Sequence, residues 1–140
     1  MKFFALTILS IVLFSTSSFA LIPPKLVKDA FASKFPTAIK VKWEMEKIKV
    51  WEAEFMMDGK NYSATFKEDG TWIETEKQIE ISRLPERVKM AIDIQYGDWK
   101  IAKASLTESA ENGEFYEADL KKGVLNKEVA FHEDGTVVIK

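Results

Sequence analysis

The chain has 140 residues, 46% hydrophobic and 30% charged, with 20 Lys and Arg against 22 Asp and Glu for a formal charge of −2. Neither sign gathers into a long run, so the basic stripe of a nucleic-acid binder is excluded. Cysteine is absent and His132 is the lone histidine, which rules out disulfide staples and a thiol nucleophile and leaves no second histidine to share a metal.

Met1-Lys2 is a short positive start, Phe3 to Phe14 is almost unbroken apolar sequence, and small residues stand at Ser18 and Ala20. That is the pattern of a secretory signal over 1–20, with cleavage expected after Ala20. The apolar stretch falls short of the roughly 20 residues of a membrane span, so a retained anchor is the weaker alternative. The mature chain is expected to be periplasmic or secreted, without a membrane anchor. Its length of about 120 residues suffices for an ordinary core, which each half alone would supply only marginally.

Pro23 and Pro24 suit a helix start, and Val27, Ala30, Phe31 and Phe35 recur at helical spacing until Pro36. Strands follow with a period of two. Val41, Trp43 and Met45 alternate with Lys40, Lys42, Glu44 and Glu46, and then Trp51, Ala53, Phe55 and Met57 alternate with Glu52, Glu54 and Met56. Asp58-Gly59 signals a hairpin, Tyr62, Ala64 and Phe66 continue the apolar face, and Glu68-Asp69-Gly70 turns into Thr71 to Ile81. Trp72 shares the parity of Glu74 and Glu76 rather than of Ile73, which predicts a bulge or a change of partner near it.

A second helix is predicted from Pro85 through Val88, Ala91, Ile92 and Tyr96 to Gly97. The strand faces after it are Ala102, Ala104 and Leu106, then Tyr116, Ala118 and Leu120, then Val129 and Phe131, then Val137 and Ile139. The chain therefore says nearly the same thing twice. Trp51-Glu52-Ala53-Glu54-Phe55 returns as Tyr116-Glu117-Ala118-Asp119-Leu120, and Phe66-Lys67-Glu68-Asp69-Gly70-Thr71 as Phe131-His132-Glu133-Asp134-Gly135-Thr136, both at an offset of 65. The helix starts at Pro24 and Pro85 stand at an offset of 61, so the second copy holds a short insertion, assigned to Ser109–Gly113. The expected fold is α+β: tandem units 21–81 and 82–140, each a helix plus a four-stranded antiparallel sheet. With no Gly/Pro/Ser-rich linker between them, the units are expected to merge into one curved sheet or to pack closely.

The order of these pieces, Pro-x-x-Val-x-x-Ala-(Phe/Ile), an aromatic strand, aromatic-Glu-Ala-acidic-apolar and Phe-x-x-Asp-Gly-Thr, resembles the PepSY-like periplasmic proteins of Bacteroidetes. The resemblance covers about Ile22 to Lys140 and occurs twice. It implies a fold like that of the β-lactamase inhibitory protein and a binding or inhibitory module without catalysis or cofactor. It brings no catalytic residues, and this chain lacks that inhibitor's cysteines.

The residues themselves point the same way. Glu52/Glu54 and Glu117/Asp119 are carboxylate pairs two apart on a strand, so each pair shares a face and could serve acid–base chemistry, but any solvated sheet face produces the same spacing. The Asp-Gly turns lack the alternating oxygen ligands of a calcium loop. His132 reads as a solvated strand residue, and no metal or cofactor is expected. Candidate binding residues are Glu52, Glu54, Met56, Glu117 and Asp119 on the polar face, with Trp72 and Phe115 as exposed aromatics beside charges. The expected function is to hold a protein or peptide on that face and the hairpin loops, restraining an envelope hydrolase. A small-ligand or envelope-glycan carrier, with a pocket lined by Trp72, Phe115 or Met56, is the second reading, and an enzyme using paired carboxylates is the least supported. Strand addition at an open sheet edge stays physically available.

Overall fold

The computed structural model describes residues 22–139; the signal assigned to 1–20 lies outside them. Helix α1 spans Lys25–Lys34 and α2 spans Glu86–Tyr96. Between and after them run β1 (Ile39–Lys47), β2 (Val50–Met57), β3 (Lys60–Lys67), β4 (Trp72–Ile79), β5 (Lys100–Ser109), β6 (Gly113–Lys122) and β7 (Leu125–Phe131). All seven strands form one antiparallel sheet in sequence order, so the two helix-led halves join directly where β4 pairs with β5.

Both helices pack on the apolar face of this sheet, as the alternation requires. Val27, Phe31 and Phe35 of α1 meet Trp51, Ala53, Phe55, Ala64 and Phe66. The contact is ring against ring: Phe31 stands edge-on to Phe55 with centroids 5.1 Å apart and to Trp43 at 5.2 Å, a preferred aromatic geometry. The second cluster is mostly aliphatic, with Leu84, Val88 and Ile92 against Ala104, Ala118, Leu120, Val129 and Phe131. Trp99 covers its edge, as its position after α2 suggests. No helix among the described residues is long and apolar enough to cross a membrane.

Turn chemistry accounts for the strand order. Asp58 and Gly59 have φ of +52° and +71° between β2 and β3, the left-handed pair of a two-residue hairpin. The two Asp-Gly-Thr motifs do something else. Gly70 at φ +88° and Gly135 at φ +85° leave so little room that an added Cβ would lie 2.8 Å from the Leu26 carbonyl oxygen and 2.7 Å from that of Arg87. Each turn thus seats on the first turn of its helix, and only glycine permits the approach. Asp69 and Asp134 hold the turns by accepting from the Thr71 and Thr136 backbone N–H at 2.9 Å. The Thr136 hydroxyl also donates to Asp134 at 2.6 Å. Hydrogen bonds from the two threonines keep both carboxyls below the ordinary carboxylate range, the hydroxyl leading at Asp134 and the backbone N–H at Asp69.

Four sequence expectations are corrected. The fourth strand of the second unit is reduced to a single bridge, Phe131 to Val137, with Val137 and Ile139 exposed and Val138 buried instead. The register shift between Ile101 and Lys103 leaves Ala102 exposed, so Ile101 rather than Ala102 belongs to the apolar face. The predicted irregularity near Trp72 is present, but it changes the residue's side. Phe66 pairs with Trp72 while Thr65 pairs with Glu74, so Trp72 packs on the aromatic cluster and its indole N–H donates to Thr75 at 2.9 Å. Lys34 caps that ring, its Nζ 4.0 Å from the centroid. Finally, Phe115 is buried rather than exposed.

Candidate functional site: the concave polar face

The polar face of the sheet is built by cross-strand rows. One row runs Lys42, Glu54, Ser63, Glu76, Thr107, Phe115 across β1 to β6. A second carries Gln78, Ser105, Glu117 and Ala130, and a third pairs Lys103 with Asp119 and Asp119 with Glu128. Residues of all seven strands, from Lys40 and Lys42 on β1 to Glu128 on β7, line a single cavity of about 480 Å³. Strands six places apart can share one cavity only if the sheet curls with this face inward. The polar face is therefore concave, and it lies opposite both helices.

Five of the seven predicted site residues come together there: Glu52, Glu54, Met56, Glu117 and Asp119. Trp72 stays on the other face. Phe115 lies beneath this face at 1% exposure, outside both helix-side clusters, with fully buried Thr107 as its register partner. Curvature buries it: the concave side of a curled sheet has a small core of its own. Lys40, Lys42, Lys103, Glu76, Gln78, Ser105 and Glu128 also line the cavity and were not singled out from the sequence. Their strand parity was a signal, but nothing in sequence joins β1 to β7 across a cavity.

An exposed neutral amide pair stands among charged side chains. Asn61 donates its amide N–H to Gln78 Oε1 at 3.1 Å, and Ser63 and Ser105 flank that pair. Three lysines and six carboxylates line the remainder, for a formal charge of −3. Glu117, 3% exposed, accepts a 2.7 Å hydrogen bond from the Thr107 hydroxyl. Glu52 is half-buried and faces Glu44 across β1 and β2. Burial pushes its carboxyl above the ordinary value of 4.5, a Ser63 hydrogen bond pulls it partly back, and Glu44, Glu46 and Glu54 add to the rise. His132 lies elsewhere, half-buried in a shallow depression with Arg87 and Asp134 beside the start of α2. Among the described residues, no group of three or more His, Cys, Asp and Glu side chains is placed to hold a metal ion. The face thus offers charged and amide side chains together with two hydroxyl–carboxylate hydrogen bonds, Thr107 to Glu117 and Ser63 to Glu52.

Residues 49–138 match the family described as "Putative beta-lactamase-inhibitor-like, PepSY-like". The chain belongs to that family. Its fold is shared with solved Bacteroides proteins at low identity. A BLIP-like protein (BLIP, β-lactamase inhibitory protein) from Bacteroides fragilis is 24% identical, with 85% of each chain covered and a TM-score of 0.67. A "putative periplasmic" protein from Bacteroides eggerthii is 19% identical, covering 85% of this chain and 88% of its own, with a TM-score of 0.72. A DUF2874 family protein from Bacteroides ovatus is 20% identical over 85% and 86%, at 0.70. No curated protein matches significantly in sequence.

Proposed function

We propose that this protein is an exported, noncatalytic binding module that holds a protein or peptide segment in the concave polar face of its sheet. One observation carries the reading: all seven strands contribute to one cavity lined by charged and amide side chains. Export is supported by the signal-like 1–20 segment and by the periplasmic description of the Bacteroides eggerthii neighbour. The inhibitor-like description of the family makes an exported hydrolase the first partner to test. We also read the two halves as copies of one module. In support, the Asp-Gly-Thr turns seat on Leu26 and Arg87 at the same offsets that relate the repeated motifs.

The small-ligand reading draws on the cavity size, which falls within the roughly 300–1,000 Å³ of small-molecule sites. The wall that reading calls for is not the one present: of Trp72, Phe115 and Met56 only Met56 lines the cavity, and its aromatics are Phe55 and Tyr62. A pull-down from the host envelope separates the two, with wild type and a Glu54→Lys/Asp119→Lys variant as baits. A protein partner captured by the first and lost by the second, with the variant's fold intact by circular dichroism, is the expected result. A specific partner retained equally by both would move the interface off this face. Capture of no protein by either bait would sink the protein-binding reading.

A further inference from the structure

The charges of the groove are sorted by depth. Its three lysines, Lys40, Lys42 and Lys103, are all exposed, whereas four of its six carboxylates are buried or half-buried. The rim is thus cationic in part and the interior anionic. The lining alone carries −3, against −2 for the whole chain. A cavity walled by low-dielectric protein focuses such a field. The two aromatics of the lining, Phe55 and Tyr62, are packed into the helix-side cluster, so charge is the larger recognition feature of the groove.

Resting on the binding role proposed above, we propose that the groove's occupant is a cationic peptide segment, whose arginine or lysine side chains pair with the carboxylates of β2 and β6, from exposed Glu54 to half-buried Glu52 and Asp119. Two features make a side chain on an extended segment the fitting form of that cation. Glu52 and Glu54 on one wall and Glu117 and Asp119 on the other are each two residues apart along a strand, a rise of about 6.8 Å, which matches alternate side chains of an extended chain. A planar guanidinium also bonds a carboxylate through two parallel N–H groups, and arginine is the residue suited to partly buried pairs. Burial and neighbouring glutamates already disfavour the Glu52 charge, a cost that an incoming cation relieves.

The test is fluorescence anisotropy of the protein with labelled Arg-Gly-Arg-Gly-Arg, its glutamate counterpart and its serine counterpart, with spermidine as a competing small cation. The arginine peptide is expected to bind and the glutamate peptide not. Raising salt from about 0.05 to about 0.5 M should weaken binding at least ~tenfold, because screening shortens to a few ångström. Glu54→Gln/Asp119→Asn should weaken it ~tenfold or more, the loss of two charge-assisted hydrogen bonds, while Lys42→Glu at the rim tightens it, both variants keeping the wild-type circular dichroism. Equal binding of the glutamate peptide, or no effect of the double substitution, would overturn the proposal. Spermidine matching the arginine peptide at equal concentration would overturn the peptide part and leave a small-cation site. An envelope partner lost on Glu54→Lys/Asp119→Lys while the arginine peptide fails to bind would remove the cationic specificity and leave the binding face standing. Failure of both experiments would remove both readings.

Discussion

The same short sequence meets two environments in this molecule. Glu-Ala-acidic occurs on β2 as Glu52-Ala53-Glu54 and on β6 as Glu117-Ala118-Asp119. In both, the alanine is buried on the helix side at 0% and 1% exposure. Yet Glu52 is half-buried among glutamates with a raised carboxyl, while Glu117 is buried and bonded to Thr107 beside Phe115. The halves also differ in core chemistry, aromatic under α1 and aliphatic under α2. Alternation sets which side of the sheet a residue faces. What that side then meets depends on how strands distant in sequence curve over it.

The largest effect should come from Phe115. If the concave side holds a core of its own, Phe115→Ala costs ~3–5 kcal/mol, the range for a buried phenylalanine, and so rivals Phe66→Ala on the helix side. An exposed strand residue would cost within ~0.5 kcal/mol. Urea unfolding of both variants decides between these and breaks the comparison if Phe115 proves neutral.

Next come the glycines. Gly59→Ala places a side chain at positive φ with nothing within 4 Å, at ~1–2 kcal/mol. Gly70→Ala and Gly135→Ala add a close approach to a helix carbonyl, so each should exceed Gly59→Ala by ~1 kcal/mol or more. Equal losses at Gly70 and Gly135 would sharpen the likeness of the two turns. A loss no greater than at Gly59 would show that the turns do not press on their helices.

Thr107→Val keeps the shape but removes the hydroxyl that donates to Glu117. The expected cost is ~1.5–3 kcal/mol, typical of a hydrogen bond to a charged group. Glu52 accepts its hydrogen bond from Ser63 in a more open setting, so Ser63→Ala should cost clearly less. Equal costs would erase the contrast between β2 and β6.

The smallest effects are pH-dependent and opposite in sign. Asp69 and Asp134 have carboxyls lowered from 3.8 by hydrogen bonds within their turns, so their contribution is present above that value and lost as pH falls through the folded-state values. Asp69→Asn and Asp134→Asn should lower Tm at neutral pH, with the gap closing in strong acid. Glu52 is raised, so its contribution is present below 4.5 and lost as pH rises through its folded value. Glu52→Gln should therefore gain stability relative to wild type toward neutral pH, by less than ~1 kcal/mol once solvent screening is counted. A Tm–pH series of the three variants checks both signs.

Much of this protein was legible from local patterning. Helical spacing at Val27, Phe31 and Phe35 and period-two alternation along β2, β3 and β6 follow from backbone geometry alone, and they placed the helix-side core correctly. Asp58-Gly59 announced its hairpin because few other residues tolerate two left-handed conformations in a row. Parity also brought Glu52, Glu54, Met56, Glu117 and Asp119 to one face. Parity failed where a bulge shifted the count, at Trp72 and Ala102, since one extra residue reverses the side of its neighbours. It could not see that Phe115 is buried, that the Asp-Gly-Thr turns seat on helices, or that β1 and β7 line one cavity. The turn seating depends on how each helix packs against its half of the sheet, and the rest on sheet curvature, which sums small twists over seven strands and is written in no single segment. Sequence by itself determined the sides; the curvature decided that one of them would be a groove.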